Sequence, residues 1–164
     1  MVDYTCDYGQ HMCKNEKFEK MKKIWKGQLK CPIVLGFDLD GVSGVINRDP
    51  TSRNLPSLMS MRDYGPLIAT PRILDLLDQH QIKASFYIPG FIAETNIDLV
   101  KTIANKGHEV GHHGYMHEPP ATLTELEESN ILDQGTEILE NITGTRPIGS
   151  VSYTHLTLPT SDLV

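Results

Sequence analysis

The sequence predicts a single domain of the parallel α/β class, and three observations lead to that prediction. Apolar runs of strand length alternate with segments whose apolar residues recur at helical spacing. Clusters of Asp and His follow two of the predicted strands, and parallel α/β folds place their active sites at the carboxyl ends of strands. The chain has 164 residues, of which 39% are hydrophobic, which is enough for one domain with its own core.

Charge and cysteine content narrow the classes of function. The net charge of −6 argues against a nucleic-acid partner, because a phosphate-binding surface needs clustered Lys and Arg. Cys6, Cys13 and Cys31 are an odd number without zinc-finger spacing, so a disulfide framework is not expected. The first 25 residues lack the apolar run of a signal peptide, and no stretch is long enough to span a membrane. A cytoplasmic location is therefore expected.

The first part of the chain contains one strong strand signal between two polar segments. Residues 1–30 are charged, with a few apolar residues at roughly helical spacing, and they predict an amphipathic leader helix. Residues 32–37 form a continuous apolar run, typical of a buried parallel strand, that leads directly to Asp38 and Asp40. Two carboxylates at the end of a buried strand are costly unless a cation or donors satisfy them. Residues 42–69 lack a clear period and predict a long loop.

Helices and strands are predicted in alternation after residue 69. The helices carry start or stop signals, which are an N-cap residue followed by proline, a capping box, or a terminal glycine. The predicted elements are a helix capped by Thr70 that fades near Gln79, a strand over 82–88, a helix from Asn96 to Lys106, a strand over 108–111, and a helix from the capping box Thr122-x-x-Glu125 to Gly144.

Four of the seven histidines lie within ten residues, in the segment 108–117. Imidazole is the commonest protein ligand for zinc, so a metal site is expected here. In one register, His108, Glu109 and His112 match the His-Glu-x-x-His signature of zinc proteases, which requires a continuous helix. Gly107 ends the preceding helix, and further glycines interrupt a new one. A zinc metalloprotease is therefore kept as the second alternative.

In the other register, His113 and His117 combine with a carboxylate from the end of the first strand, Asp38 or Asp40. Two imidazoles and one carboxylate, with open positions for water, are the ligand set of catalytic rather than structural zinc. The remaining carboxylate is then free to act as a base beside the metal. The interruptions by glycine favour this register.

These segments resemble the polysaccharide deacetylases, that is, carbohydrate esterase family 4 with its NodB-homology domain. Residues 37–41, Phe-Asp-Leu-Asp-Gly, and residues 107–118 match two motifs of that family. Residues 84–90 fit the strand between them, and residues 146–149 fit the approach to a third motif, so that the resemblance covers 31–149. The Asp-Leu-Asp spelling is closer to the branch of peptidoglycan deacetylases and allantoinase-like enzymes than to the chitin deacetylases. The resemblance implies the N-terminal half of a distorted (β/α) barrel, which has seven strands in the full-length family.

The resemblance also implies an activity and a role for each site residue. It implies a metal-dependent hydrolase of non-peptide C–N bonds that deacetylates an N-acetylated polysaccharide or opens a cyclic amide. Zinc, or another divalent transition metal, is the implied cofactor. Asp38 is the implied general base, and Asp40, His113 and His117 are the implied metal ligands. The two histidines of the protease register are then expected to be packed or hydrogen-bonded.

The chain departs from the family after Gly149. The family continues with an aromatic residue, an arginine and a Pro-x-Trp-like segment, and its general acid is a late histidine. Residues 150–164 have no counterpart and look like translated adapter sequence, so we expect a non-native tail there. The predicted division is thus a leader over 1–30, a partial deacetylase domain over 31–149, and this tail. An inactive metal-binding fragment of such an enzyme is the first alternative function.

Overall fold

The computed structural model describes residues 33–151. The predicted leader helix over 1–30 and residues 152–164 of the predicted tail lie outside the described residues. The chain divides into two units, Met1–Val34 and Leu35–Val164. The strands and helices described below all belong to the second unit.

The described part of the chain contains a three-stranded parallel sheet. Its strands lie in chain order, and they are β1 (Gly36–Asp38), β2 (Ser85–Ile88) and β3 (Glu109–His112). Parallel strands need long crossover connections, which are helical here, so the predicted βα alternation is confirmed. The first two strands begin later than predicted, and the third is shifted by one residue.

The strand register sorts the side chains onto two faces of the sheet. Phe37 of β1 pairs with Phe86 of β2, and their rings stack with centroids 5.2 Å apart within the core. Asp38, Tyr87 and Gly111 form the next row, and the pleat turns that row to the opposite face. The Tyr87 ring lies so close to Gly111 that a Cβ there would be 2.5 Å from it, so glycine is required at this position.

Helices cover the face of the sheet that carries the two phenylalanines. The α-helices are α1 (Ser43–Arg48), α2 (Pro56–Tyr64), α3 (Thr70–Gln79), α4 (Gly90–Thr95), α5 (Ile97–Asn105) and α6 (Glu125–Thr143). Buried residues of four of them complete the core, namely Leu74, Leu77, Ile92, Ala93, Val100, Ile103 and Leu139. Gly144 ends α6 at a φ of +72°, as predicted from the sequence. Within residues 33–151, no helix is long and apolar enough to cross a membrane.

The segment 42–69 is mostly helical, and its prediction as a long loop was wrong. It contains α1, a 3-10 turn at Pro50–Asn54, α2 and a π-helical turn at Gly65–Ala69. A proline occupies the first or second position of three of these pieces, where its fixed φ and missing N–H are tolerated. The pieces are short, and α2 buries none of its residues, so the sequence offers no apolar period from which to predict them.

Two predicted helix starts also differ from the structure. Thr70 begins α3 as expected, but it has helical dihedral angles and follows the π-helical turn directly, so it caps nothing. The capping box of α6 is formed by Thr124 and Glu127, two residues later than predicted. Thr122 instead ends a 3-10 turn, where its hydroxyl donates to the Pro119 carbonyl. Both Thr122-x-x-Glu125 and Thr124-x-x-Glu127 match a capping box, and the 3-10 turn at Pro120–Thr122 leaves the second one to begin α6.

The first strand is less buried than its apolar sequence predicted. Gly36 and Asp38 are exposed, and Phe37 is half-buried. Among the described residues, β1 pairs with β2 on one side and forms the outer strand of the sheet. The expectation of a strand buried on both faces was wrong, because that pattern arises where neighbours cover a strand on every side.

Candidate metal centre and active site

The predicted site residues meet at one edge of the sheet. Asp38 ends β1 and Asp40 follows it, while His113 and His117 follow the end of β3. Both strands run parallel to β2, so their carboxyl ends share that edge. One ligating atom from each of Asp40, His113 and His117 can be chosen such that all three lie within 4.8 Å of one another.

The geometry of this trio fits a cation. His113 Nε2 lies 3.2 Å from Asp40 Oδ1, and His117 Nε2 lies 3.7 Å from Asp40 Oδ2. Asp40 Oδ1 and His113 Nε2 are both buried, and neither has a partner with hydrogen-bond geometry in the described part of the chain. Buried polar atoms without a partner are costly, and one shared ion would satisfy both. Two imidazoles with one carboxylate are a ligand set that suits a divalent transition metal.

A backbone carbonyl sets the tautomer of His113. Its Nδ1 lies 2.6 Å from the Val151 carbonyl oxygen. Residues 149–151 run beside the end of β3, where His112 N donates to the Gly149 carbonyl and Val151 N donates to the His112 carbonyl. Because a carbonyl only accepts hydrogen bonds, Nδ1 carries the proton and Nε2 keeps a lone pair for a metal.

The charges of the trio stabilise one another. Burial disfavours the charged form of Asp40, but the neighbouring His113 and His117 outweigh it and hold the pKa of Asp40 below its ordinary value. Burial likewise disfavours protonated His113, but Asp40 and the Val151 carbonyl raise the pKa of His113 above its ordinary value. The carboxylate of Asp38 adds to that rise. Asp40 and His113 thus each favour the charged form of the other.

Asp38 lies beside the trio without belonging to it. It is the last residue of β1 and precedes Asp40 by two residues. Asp38 is exposed, and its charge acts on His113.

The turn after β3 carries His117 and contains residues that the sequence did not single out. His117 has a φ of +60° and Gly114 a φ of +74°, both in the left-handed region. The Glu118 carboxylate accepts hydrogen bonds from the backbone N–H groups of the turn. Gly44 of α1 faces the imidazole, since a Cβ there would be 3.2 Å from His117 Nδ1. The contact between Gly44 and His117 leaves no periodic signal in the sequence. Only the residues Gly-Tyr-Met-His-Glu at 114–118 could have indicated the turn.

The two remaining histidines of the cluster are packed among the helices. His108 is 5% exposed, and its Nδ1 accepts a hydrogen bond from the Ala84 N–H. His112 is 3% exposed, its Nδ1 accepts from the Gly114 N–H, and its Nε2 lies 3.3 Å from the Ile131 carbonyl oxygen. Burial lowers the pKa of both rings. The expectation that these histidines are packed and hydrogen-bonded is confirmed.

The protease register is contradicted by the backbone. Residues 109–112 form β3, whereas the protease signature requires one continuous helix. In a strand, Glu109 faces the side opposite to His108, and its carboxylate instead accepts a hydrogen bond from the Ser85 hydroxyl. The second alternative, a zinc metalloprotease that uses His108, Glu109 and His112, was therefore wrong.

A small cavity of about 70 Å³ adjoins the metal-ligand candidates. His113, His117 and Glu118 line it on the side of the trio. The opposite wall is formed by α6 and the turn before it, and it contains Leu123, Glu128, Ile131 and Leu132. Two of the three ligand candidates, His113 and His117, thus face the cavity.

The chain is similar to known proteins in both sequence and fold. The sequence profile of the polysaccharide deacetylase family matches residues 52–161, about two thirds of the chain. The chain belongs to the polysaccharide deacetylase family. The resemblance inferred from the sequence is thereby confirmed.

Individual relatives make the relationship more specific. The peptidoglycan deacetylase of Helicobacter pylori is 32% identical over 120 residues, which are 73% of this chain and 41% of that protein. A Mycobacterium smegmatis protein attributed to the polysaccharide deacetylases superposes with a TM-score of 0.70 at 34% identity, over 75% of this chain and 45% of its own. A peptidoglycan N-acetylglucosamine deacetylase superposes with a TM-score of 0.55 at 34% identity, over 71% of this chain and 44% of its own.

These matches identify the fold and show how much of it the chain spans. The parallel sheet with its helices is part of the (β/α) barrel expected from the sequence. The chain spans less than half of the length of each of these three proteins. The individual roles of Asp38, Asp40, His113 and His117 stay predictions.

Proposed function

We propose that the chain is the metal-holding part of a hydrolase that removes acetyl groups from an N-acetylated polysaccharide by cleaving an amide C–N bond. One observation carries the proposal. Asp40 Oδ1 and His113 Nε2 are buried, lie 3.2 Å apart and have no hydrogen-bond partner among the described residues, with His117 Nε2 close by. Membership of the polysaccharide deacetylase family supplies the reaction class.

Asp40, His113 and His117 are the proposed ligands of a divalent metal, and zinc is the metal that we propose. Three protein ligands of this kind leave further coordination positions open, as in catalytic zinc sites. A metal in such a site lowers the pKa of a water molecule and polarises a carbonyl group. The Val151 carbonyl holds His113 in the tautomer that binding requires.

Asp38 is the proposed general base. Its exposed carboxylate accepts a proton from the water whose oxygen attacks the acetamide carbonyl carbon. The C–N bond then breaks, the acetyl group leaves as acetate, and the nitrogen leaves as an amine after it gains a proton. We assign no residue among 33–151 to that last protonation.

The relatives support an N-acetylated glycan as substrate. The Helicobacter pylori relative is named a peptidoglycan deacetylase, and one solved relative is a peptidoglycan N-acetylglucosamine deacetylase. That solved relative was crystallised with an N-hydroxybenzamide compound, a hydroxamic acid, and hydroxamic acids chelate metals. We therefore propose N-acetylglucosamine residues of a glycan as the substrate, in preference to a cyclic amide.

Acetate release tests this proposal. The 164-residue chain is loaded with zinc, and acetate is measured after incubation with N-acetylglucosamine oligomers and with peptidoglycan fragments. For the cyclic-amide alternative, the loss of allantoin is measured instead, because its ring opening releases no acetate. We expect acetate from the glycans, loss of that activity after chelation, and no activity in His113→Ala. Metal binding without hydrolysis would instead support the inactive-fragment alternative. Acetate release that survives chelation would contradict the proposal.

A further inference from the structure

We infer that Glu118 is a positioning residue for the proposed metal centre, because its carboxylate holds the turn that places the His117 imidazole. The inference rests on the proposed function, since it takes His117 to be a metal ligand. Glu118 itself is outside the trio of ligating groups, and its two oxygens are occupied by the backbone of the turn.

The carboxylate of Glu118 closes the turn with two hydrogen bonds. Its Oε2 accepts from the Tyr115 N–H at 2.9 Å, and its Oε1 accepts from the Met116 N–H at 2.8 Å. Successive backbone N–H groups that point to one place form an anion-binding concavity. Here the carboxylate of Glu118 fills the concavity. Because Glu118 is bonded to His117 along the chain, these hydrogen bonds tie the end of the turn, with His117, back to its start.

The bonds hold His117 in a backbone conformation that it would rarely adopt alone. Its φ of +60° lies in the left-handed region, which residues other than glycine seldom occupy. Such a conformation persists when the surroundings fix it, and it is common at functional sites. If the turn opened, His117 could return to a negative φ, and its ring would move away from Asp40. Gly114 makes the closed form possible, because a Cβ there would be 2.8 Å from Glu118 Oε2.

The first half of the turn has anchors that do not involve Glu118. The Gly114 carbonyl accepts a hydrogen bond from the Gly90 N–H, and the Tyr115 carbonyl accepts one from the Phe91 N–H, both at 3.0 Å. These bonds join the start of the turn to the first residues of α4. Loss of the Glu118 carboxylate should therefore loosen the part of the turn that contains His117 and leave the fold intact.

A pair of isosteric substitutions tests the inference. Glu118→Gln keeps the size of the side chain but replaces one acceptor oxygen by an NH₂ group, which repels the backbone N–H it faces. Glu128→Gln removes the same charge from an exposed position on the wall of the same cavity, away from the turn. Each variant of the 164-residue chain is titrated with Co²⁺, whose absorption spectrum reports the geometry of its ligands. Thermal unfolding of the metal-free proteins measures the stability of the fold.

We expect Glu118→Gln to bind Co²⁺ about 10–100-fold more weakly than the unchanged chain, which is the usual effect of losing support for a metal ligand. Its spectrum should change, its metal-free unfolding temperature should stay close to that of the unchanged chain, and Glu128→Gln should bind normally. The Tyr115 and Met116 amides should also exchange faster with solvent in Glu118→Gln, with or without metal. Equal affinity and equal exchange in Glu118→Gln would overturn the inference. Failure of the unchanged chain to bind Co²⁺ would overturn the proposed metal site and this inference with it.

Discussion

His108 directly precedes β3 and His112 is its last residue, and both rings pack against the helix-covered core, whereas His113 follows the strand and its ring faces Asp40. Strand alternation explains the difference, because side chains two or four residues apart share a face and neighbours do not. His108 packs against Phe86 and its Nδ1 accepts a hydrogen bond from the Ala84 N–H, while both ring nitrogens of His112 meet backbone groups. His113 instead directs Nε2 towards Asp40.

The comparison shows that secondary structure decides what a histidine cluster can do. On a helix, the spacing from His108 to His112 would bring both rings to one metal. On a strand, the same spacing separates the rings along β3, and α6 packs against the second one. His117 reaches Asp40 from the turn after His113, in which Gly114 and His117 both have a positive φ. Substitutions beside each of the two groups test this division between packed and metal-facing histidines.

The largest effect is expected on activity, from a substitution of Asp38, which lies beside the metal-facing histidines. Asp38→Asn removes the proposed general base but none of the proposed ligands. General-base catalysis typically contributes about 10²–10⁴-fold, so acetate release should fall by that factor. The zinc content of the variant should equal that of the unchanged chain, which excludes loss of the site. Full activity in Asp38→Asn, with zinc bound, would assign the base to another group.

A smaller effect, on the free energy of unfolding, is expected where the packed His112 meets α6. Gly135 of α6 lies against His112, and a Cβ at residue 135 would overlap with His112 Nε2. Gly135→Ala should destabilise the fold by about 1–3 kcal/mol, as overpacking does. Urea unfolding measures the change.

The matched control for Gly135→Ala is Gly65→Ala. Gly65 also lies in a helical segment, but a Cβ there would contact nothing within 4 Å among the described residues. Gly65→Ala should be neutral or slightly stabilising, because alanine has the higher helix propensity. Equal effects of the two substitutions would show that His112 does not pack against α6 as described.

The smallest effect is a dependence of stability on pH. Burial lowers the pKa of His108, so the unfolded chain binds more protons than the folded chain as the pH falls below the unfolded pKa of about 6.5. The stability that neutral His108 contributes is present above that pH and is lost as the pH falls through the folded pKa. The contribution of His108 to the free energy of unfolding should therefore fall between pH 7 and pH 5.

His108→Asn provides the comparison for this pH effect. Asparagine retains an oxygen that can accept the Ala84 N–H but does not titrate. The variant should lose less unfolding free energy between pH 7 and pH 5, by about 1 kcal/mol or less on the usual scale of a pKa shift. Urea unfolding at the two pH values measures it. Parallel losses in the two proteins would mean that His108 keeps its ordinary proton affinity in the fold.

Most of the fold was predictable because its main signals are local. Apolar runs predicted β1 and β2, and Gly144 predicted the end of α6. The segment 42–69 was missed because its short, proline-initiated helices present little buried surface and so no apolar period. The burial of β1 was overestimated because burial depends on neighbouring strands, which a local run of residues does not reveal.

The candidate site was predictable in its residue types and only partly in its geometry. Glycines around residues 108–117 argued against a continuous helix and so favoured His113 and His117 over His108 and His112 as ligands. The Val151 carbonyl and the Glu118 carboxylate were missed for a physical reason. A backbone carbonyl has no sequence signature, and the left-handed φ of His117 arises from contacts of the folded turn. The domain boundaries at 31 and 149 stay predictions.

Zinc content per chain tests the central claim most directly. His113→Ala and His108→Ala each remove one imidazole from the same ten-residue segment, one from the metal-facing group and one from the packed group. After zinc loading and gel filtration, the unchanged chain and His108→Ala should each retain about one zinc, and His113→Ala should retain essentially none. Loss of zinc from His108→Ala with retention in His113→Ala would contradict the account and restore the protease register.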